Sequence, residues 1–564
     1  MSAQTGTASI PPPLTGSGLW TRLRSHFARL TSDPNPVWMR ELRQSARLQR
    51  TPVILATITG MMTLLICSVG GVASVTAEPA KVGSGIFHTF FSLAFAVVTW
   101  IGPAVAASSI AGERGGRTWE ALLLTGLPPA TIARGKFLAS LTYVSLYIVM
   151  LAPVGALPFL FGGVTASEVL LAFVILFCVA GLSAAFGLAI SSKFSSPAAA
   201  IIVTLLVTLT TSFTVFGSLG IGLSFAVHDL WPGVAAGPPV WLPTAYVRGD
   251  FGLEYITFLL VLPVVLVALP GWLFYEVTVA NLAAPSDDRS TRLRVWFLVS
   301  TPICALTLIL VGRTVDDPDF YLSAGALLAT FLTFGAFLFT GEPLGPSRRV
   351  LVHWQRRERG RLLRFLGPGI LRASVLLLAL DLLGMGALLL AALWASKTPI
   401  DAQAQIALHG YLALFLGFLI GFGAWSRSRS NGAAVPRVLL LVTLFFSLVG
   451  PWIAMAIAGI VTESQDRALL MAAPSPTYVA VMVSALKSAS PHAGLQLFAG
   501  TVCASAWGAI GLGLLGLAAV RTRRRLDSEE ALRASLEARF AEEDQARLST
   551  QPPIPDPQPP TPNP

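Results

Sequence analysis

One polar stretch interrupts the first third of an otherwise apolar sequence, between residues 111 and 136, and its residue types fit binding rather than bond making. It reads AGERGGRTWEALLLTGLPPATIARGK. Glu113, Arg114 and Arg117 give it a charged beginning. An apolar helix between charged ends either lies in a membrane interface or docks onto a soluble partner, and the stretch alone leaves both roles open.

Local signals predict how this stretch is arranged. Thr118 is a residue type that caps helices, so we expect a short helix over 119–125. The apolar side of that helix is expected to carry Trp119, Leu122 and Leu123. Gly126 can end the helix in a left-handed conformation, and the two prolines that follow prevent its continuation before a second helix begins.

No set of residues in the sequence predicts catalysis. The sequence has no Gly-x-x-x-x-Gly-Lys-Ser/Thr phosphate loop, no cluster with metal-ligand spacing and no Gly-x-Ser-x-Gly motif. Asp381 is the clearest ionisable group inside an apolar run, and such carboxylates are costly enough to be functional candidates. We therefore expect that the chain is not an enzyme and binds no cofactor or metal of its own.

The composition indicates a polytopic all-α membrane protein. Hydrophobic residues make up 54% of the 564 residues and charged residues only 12%, whereas a soluble domain has about 25% charged residues. The net charge of +10 does not predict a nucleic-acid partner. The basic residues lie between apolar runs, where their ordinary effect is to orient membrane spans.

Twelve apolar runs of roughly 20 residues are long enough to cross a bilayer. They lie near 52–77, 86–110, 137–162, 166–191, 197–226, 254–280, 295–313, 321–341, 370–396, 404–425, 436–461 and 493–520. Lysine and arginine are concentrated in alternate loops, which predicts that those loops and both termini are cytoplasmic. The 111–136 loop is then also cytoplasmic, between the second and third spans.

An internal similarity relates the first six runs to the last six. In each set the second run leads into a Gly-Glu pair, Gly112-Glu113 and Gly341-Glu342. We therefore predict two parallel six-helix repeats related by an axis along the membrane normal. The loop over 342–369 lacks an equivalent of the Trp-Glu-Ala-Leu-Leu segment, so we expect its docking helix to be degenerate.

These patterns divide the chain into four parts. They are a disordered leader over 1–32, a first six-span half over 33–283, a second and degenerate half over 284–520, and a cytoplasmic charged helix with a proline-rich tail over 521–564.

An amphipathic helix is expected over 35–50, before the first run, with Asn35 as its cap. Its arginines Arg40, Arg43 and Arg47 share one side and would face lipid phosphates, while Trp38 would face the acyl chains. The alternative is an ordinary basic flank to the first span.

The 111–136 stretch resembles the cytoplasmic signature of ABC-2 type transporter permeases. The matching residues are Glu113-Arg114, then Arg117-Thr118-Trp-Glu120-Ala-Leu122-Leu123, then Leu127-Pro128 and Gly135-Lys136. Arg117 stands where the family usually has glycine. An interfacial helix before the first span is another feature of the family. The resemblance covers 33–283 well and 294–520 only as a weak second copy.

The resemblance implies a permease subunit of an exporter in the bacterial cytoplasmic (inner) membrane. A separate ABC ATPase subunit would bind ATP and Mg and dock on the 111–136 loop. The coupling residues carried over from the family are Glu113, Arg117, Thr118, Trp119, Glu120, Leu122 and Leu123. The chain would otherwise contact membrane lipid, and whether it forms a homodimer is left open.

The spans carry few charges, which favours an apolar or amphipathic substrate. Two other functions stay open on the sequence. One is a non-transporting membrane anchor for an ATPase-driven assembly. The other is a secondary transporter, which would need charged partners inside the spans of both halves, where only Asp381 qualifies.

Overall fold

A computed structural model describes residues 34–46, 50–76, 78–215, 228–231, 242–284, 286–356, 360, 364–462 and 468–550. The predicted leader over 1–32, Arg47, and the proline-rich end after 550 lie outside these residues. The described part of the chain is helical and contains no strand. It forms two compact units, Met1–Ala284 and Pro285–Pro564.

The prediction of an all-α polytopic membrane protein is confirmed, with fewer clear spans than expected. Ten helices within the described ranges are long and apolar enough to cross a membrane. Two further apolar helices, within Arg50–Thr76 and Pro197–Val215, have shorter apolar segments. These two correspond to the first and fifth predicted spans, so length and composition support ten of the twelve.

Ten α-helices have defined bounds among the described residues of the first unit. They are α1 Pro36–Ala46, α2 Arg50–Thr76, α3 Pro79–Gly115, α4 Trp119–Leu124, α5 Pro129–Gly155, α6 Leu157–Phe161, α7 Ala166–Ser191, α8 Pro197–Val215, α9 Leu242–Arg248 and α10 Leu262–Leu282. A π-helical segment, Tyr255–Val261, leads directly into α10. The long helices are apolar on most of their surface, as helices surrounded by lipid and by one another must be.

The long helices of this unit alternate in direction. We call the end where α3 finishes and α5 begins its loop end. Ser191, at the end of α7, and Tyr275, late in α10, both form hydrogen bonds at the loop end, with the backbone of α3 and α5. Arg248, just before α10, instead pairs with Glu168 at the start of α7, which is the opposite end. The chain between α7 and α10 therefore crosses the unit, and α8 is the long helix described there.

The core that holds these helices together is largely aromatic and lies away from the loop end. Phe87, Phe90 and Phe91 of α3 are each at most 2% exposed. Phe173 of α7 packs edge-on against Phe90 and Phe91, with ring centroids 6.5 and 5.1 Å away. Edge-to-face packing of this kind fixes the relative positions of α3 and α7, and so also the positions of their loop ends.

In the part of the second unit that the structure describes, eight α-helices have defined bounds. They are α11 Thr291–Val315, α12 Pro318–Thr340, α13 Arg348–Arg356, α14 Ile370–Ala395, α15 Pro399–Arg429, α16 Ala434–Thr462, α17 Val479–Lys487 and α18 Ala493–Thr550. We call the end where α12 finishes and α14 begins the loop end of this unit.

Two features of the second unit add to the sequence analysis. Its loop between α12 and α14 contains a helix, α13, which has nine residues and buries Val350 and Trp354. The charged segment after residue 521 is helical up to residue 550, as predicted. It continues the last predicted span without a break, and α18 is 58 residues long.

Candidate functional site

The site is built on α1, which is fixed against the first turns of α5. The side chain of Asn35 caps α1, because its Oδ1 accepts from the backbone N–H of Val37 at 3.0 Å, as the sequence predicted. Its Nδ2 donates to the carbonyl of Thr131 at 2.8 Å. Trp38 donates from Nε1 to Oγ1 of Thr142 at 3.2 Å. The amphipathic helix therefore packs on protein along one side.

A glycine permits this close packing. A Cβ on Gly135 would lie 2.5 Å from Asn35 Oδ1 and 2.6 Å from Val37 Cβ, closer than Cβ contacts occur in proteins. Val37 is only 2% exposed. The Gly135-Lys136 pair thus has two separate roles, because its first residue admits α1 and its second carries the charge described next.

Lys136 is the centre of a buried ion-pair cluster. Its side chain has no exposed surface, and Nζ lies 3.0 Å from Glu41 Oε1 and 3.2 Å from Glu113 Oε1. Nζ also donates to Oγ of Ser109 at 3.2 Å. Arg40 completes the cluster by pairing with Glu113 and, at 3.1 Å, with Glu41. Two cations and two carboxylates thus join α1, α3 and α5.

The cluster changes the interpretation of Arg40 and Glu113. Arg40 pairs with carboxylates of the protein, whereas the sequence analysis expected it to face lipid phosphates, and Arg43 is exposed. Burial opposes the charge of Arg40, but hydrogen bonds and charges from Glu41 and Glu113 outweigh it and raise the pKa of Arg40. The Glu113 side chain is 13% exposed, and its Oε1 pairs with Arg40 and Lys136 of the same unit.

The end of α3 is also joined to the end of α7. Oγ of Ser191 accepts from the backbone N–H groups of Ile110 and Ala111, both at 3.0 Å. Arg114 donates from Nη1 to the carbonyl of Ser192 at 2.7 Å. The same guanidinium lies 5.3 Å from the ring centroid of Trp119, so it also supports the start of α4.

The turn into α4 depends on a left-handed residue. Arg117 has φ 56°, a region that favours glycine, and this explains why a glycine at this position suits the motif. The prediction that Thr118 caps the helix with its side chain is wrong. Its Oγ1 instead donates to the carbonyl of Glu113 at 3.3 Å. Gly126 has φ 69° and ends α4 as predicted.

The side chains of α4 separate into anchors and exposed groups. Leu122 is 4% exposed and joins a cluster with Val37, Ile110 and Ile132, against which Trp119 packs. Leu123 is 49% exposed and so does not share the side of Leu122.

Leu124 is 88% exposed and is the residue that the sequence analysis missed. The signal was available, because three consecutive leucines cannot all face one side of a helix of one or two turns. Arg117 and Glu120 are exposed as well. The exposed surface of α4, defined by Arg117, Glu120, Leu123 and Leu124, is therefore apolar with a charge of each sign beside it.

A related cluster occupies the loop end of the second unit. The Arg294 guanidinium is fully buried and pairs with Glu342. It also donates to the carbonyls of Gly367 at 2.6 Å and Gly369 at 2.8 Å. Glu342 lies two residues after the second long helix of its unit, and Glu113 lies in the last turn of the second long helix of the first unit. Burial raises the pKa of Glu342, although Arg294 and the backbone N–H of Gly369 act in the opposite direction.

Asp381 is buried midway along α14, with 2% of its surface exposed. Its Oδ1 has no hydrogen-bond partner among the described residues. A buried carboxyl group without a partner is far less costly when it is protonated. Asp381 belongs to the second unit, whereas the 111–136 loop belongs to the first.

An apolar cavity of about 650 Å³ lies within the second unit. Its lining comes from α12, α15, α16 and the segment that begins α17. The residues include Ala326, Thr330, Leu412, Phe415, Leu444 and Ala480. Its volume is in the range of sites that hold a small organic molecule.

A comparison with protein families bears on the first unit. The ABC-2 family transporter protein model matches residues 38–245. No curated protein matches the chain. The match includes most of α1, the whole 111–136 loop and the helices that hold it. The resemblance drawn from the sequence is thereby confirmed over residues 38–245, and the match supports an ABC-2 type permease.

Proposed function

We propose that this chain is the membrane subunit of an ABC-2 type exporter. It moves an apolar or amphipathic substrate with energy from ATP, which a separate ABC ATPase subunit binds with Mg and hydrolyses. That subunit docks on the exposed surface of α4. The chain crosses the cytoplasmic membrane twelve times, and both loop ends face the cytoplasm.

One observation carries the docking proposal, namely the contrast along α4 between anchored and exposed leucines. Leu122 holds the helix on the unit, while Leu123 and Leu124 remain 49% and 88% exposed. The ion-pair cluster fixes α1, α3 and α5 directly behind this helix. A rigidly supported apolar projection can transmit a movement of its partner to the long helices, which a flexible loop cannot do.

Twelve crossings are supported by the alternation of helix ends within each unit. In the first unit α2 starts beside α1 at the loop end, and two residues separate its last residue from α3, which starts at the opposite end. The 19 residues of α8 have a length of about 28 Å, close to the thickness of the hydrocarbon core. The apolar cavity of the second unit supports an apolar cargo and disfavours an anchor without transport.

The docking proposal is tested with the double substitution Leu123→Asp and Leu124→Asp. We expect the purified tagged chain to lose its associated ATP hydrolysis at least tenfold, because two buried leucine contacts are worth several kcal/mol. The melting temperature of the chain alone should stay unchanged, since both side chains are exposed.

The matched control is Leu532→Asp, which places the same charge at a leucine 61% exposed on α18. It should retain the ATPase. Full ATP hydrolysis in the Leu123/Leu124 variant would refute docking on α4, and equal loss in the control would show that the effect is not specific to this helix.

A further inference from the structure

A second cavity, of about 510 Å³, opens at the loop end of the second unit. Its walls are the segment over 343–346, Leu351 of α13, the start of α14, the end of α15 and one side of α18. Its charged lining consists of Arg372, Arg427, Arg525, Arg533, Glu529 and Glu530. Four arginines against two glutamates leave an excess of two positive charges.

Three of these arginines have no carboxylate partner among the described residues. Arg427 is 9% exposed and is held by two carbonyls, with Nε 2.6 Å from that of Glu342 and Nη1 2.7 Å from that of Ser430. Arg372 donates from Nη1 to the carbonyl of Arg364 at 2.9 Å, and stacks on Trp354. Carbonyl groups orient a guanidinium but leave its full charge uncompensated.

The remaining charged residues of the lining, Arg533, Glu529 and Glu530, carry a net charge of −1. Arg533 pairs with Glu529 one turn before it on α18, at 3.5 Å. Arg525 is half-buried and lines the cavity. It forms no ion pair with another described residue. The unbalanced charge is therefore on Arg372, Arg427 and Arg525, which come from three different helices.

The cavity is held in shape by contacts between α18 and the loop. A Cβ on Gly345 would lie 3.0 Å from Leu526 Cδ2, so the helix and the loop are in close contact there. Arg348 of α13 pairs with Glu537 of α18. Leu526 directly follows Arg525, and Glu537 lies twelve residues after it on the same helix, so both contacts hold this part of α18, and Arg525 with it, against the loop.

We propose that this cavity binds a phosphate group carried by a larger molecule. Guanidinium groups match phosphate oxygens through paired hydrogen bonds, and arginine is the preferred residue for such recognition. The volume exceeds what a single phosphate needs and leaves room for the rest of an organic phosphate. The position at the end of apolar helices is also where basic pockets bind lipid headgroups.

Two kinds of molecule carry such a phosphate group, namely a phospholipid, in its headgroup, and a soluble organic phosphate. The experiment has one arm for each. Purified and delipidated full chain is titrated with phosphatidylglycerol, followed by native mass spectrometry. In parallel it is titrated with ATP in the absence of Mg, followed by calorimetry. The proposal expects saturable binding in at least one arm.

The test variant is Arg525→Gln, and the control is Arg524→Gln, which removes the same charge from an exposed neighbour outside the cavity. We expect Arg525→Gln to weaken binding about tenfold, as one lost charge-assisted hydrogen bond would. The control should bind as the native chain does. Size-exclusion elution of both variants checks that they are folded.

Binding of phosphatidylglycerol that depends on Arg525 supports the site with a lipid ligand. Binding of ATP that depends on Arg525 supports it with a soluble ligand. Binding in neither arm, or equal affinity for both variants, overturns the proposal. None of these outcomes depends on the ATPase, so failure here is distinct from failure of the function proposed above.

Discussion

At the scale of single residues, Glu113 and Lys136 hold the helices of their own unit together, and their charges are not available for contact with a partner. Glu113 begins the segment that resembles the family signature, and the sequence analysis assigned it to coupling. The structure places its carboxylate between Arg40 and Lys136 instead. Sequence reasoning could not find this, because Arg40 is 73 residues away along the chain and α1 was expected to face lipid.

Replacing Glu113 by Gln should therefore destabilise the protein. The substitution leaves Lys136 buried with Glu41 as its one remaining carboxylate, and breaking a buried pair costs on the order of 3 kcal/mol. We expect a lower free energy of unfolding for the isolated chain in detergent, measured by chemical denaturation. Glu120→Gln is the control, because that carboxylate is exposed in the same loop and should cost less than about 0.5 kcal/mol. Equal stability of the two variants would contradict a structural role for Glu113.

At the scale of elements, the sequence predicted well where the helices in and around the loop begin and end. The cap of α1 at Asn35, the left-handed end of α4 at Gly126 and the new helix at Pro129 all follow from neighbouring residues. What the sequence could not supply was the side that each helix buries. That depends on contacts such as Leu122 with Val37, which are distant along the chain.

The second loop illustrates the same limit. Its helix α13 was missed because the Trp-Glu-Ala-Leu-Leu motif was taken as the criterion. Trp354 nevertheless lies under Arg372 at 5.5 Å, as Trp119 lies under Arg114 at 5.3 Å. A short helix anchored by a tryptophan and an arginine therefore occurs in both loops, in spite of their different sequences.

The packing of α1 on α5 leads to a prediction about Gly135. Gly135→Ala would place a Cβ 2.5 Å from Asn35 Oδ1, so α1 must shift. Overpacking of this kind costs about 1–3 kcal/mol. We expect faster proteolysis within α1, measured by limited digestion and mass spectrometry, together with a lower melting temperature. Gly112→Ala is the control, since a Cβ there meets no atom within 4 Å. Unchanged digestion of α1 in the Gly135 variant would show that the close packing is not needed to hold it.

At the scale of the whole molecule, hydropathy was sufficient for the class of fold but not for the number of crossings. The apolar segments within α2 and α8, of 17 and 16 residues, are shorter than ordinary spans. The crossings proposed for these two helices are inferred only from where neighbouring helices end. Ser191 lies at the loop end and Arg248 at the opposite end, so the chain between them has to pass through the unit.

This argument predicts the sidedness of each unit by cysteine labelling. In a background where Cys67, Cys178, Cys304 and Cys503 are replaced, single cysteines are introduced in place of Lys81, Glu120, Lys397 and Arg524. Lys81 and Lys397 are 75% and 61% exposed and lie opposite the loop ends. We expect a membrane-impermeant maleimide to label these two positions in intact cells, because the lysine- and arginine-rich loops stay cytoplasmic.

Positions 120 and 524, at the two loop ends, should be labelled only after the membrane is permeabilised. Both are exposed, so failure to react in intact cells would reflect the membrane and not burial. Labelling of 81 and 120 from the same side would contradict the crossing of α3. Labelling of 120 and 524 from opposite sides would contradict two repeats with the same orientation, and with them a cytoplasmic position for both the α4 surface and the arginine-lined cavity.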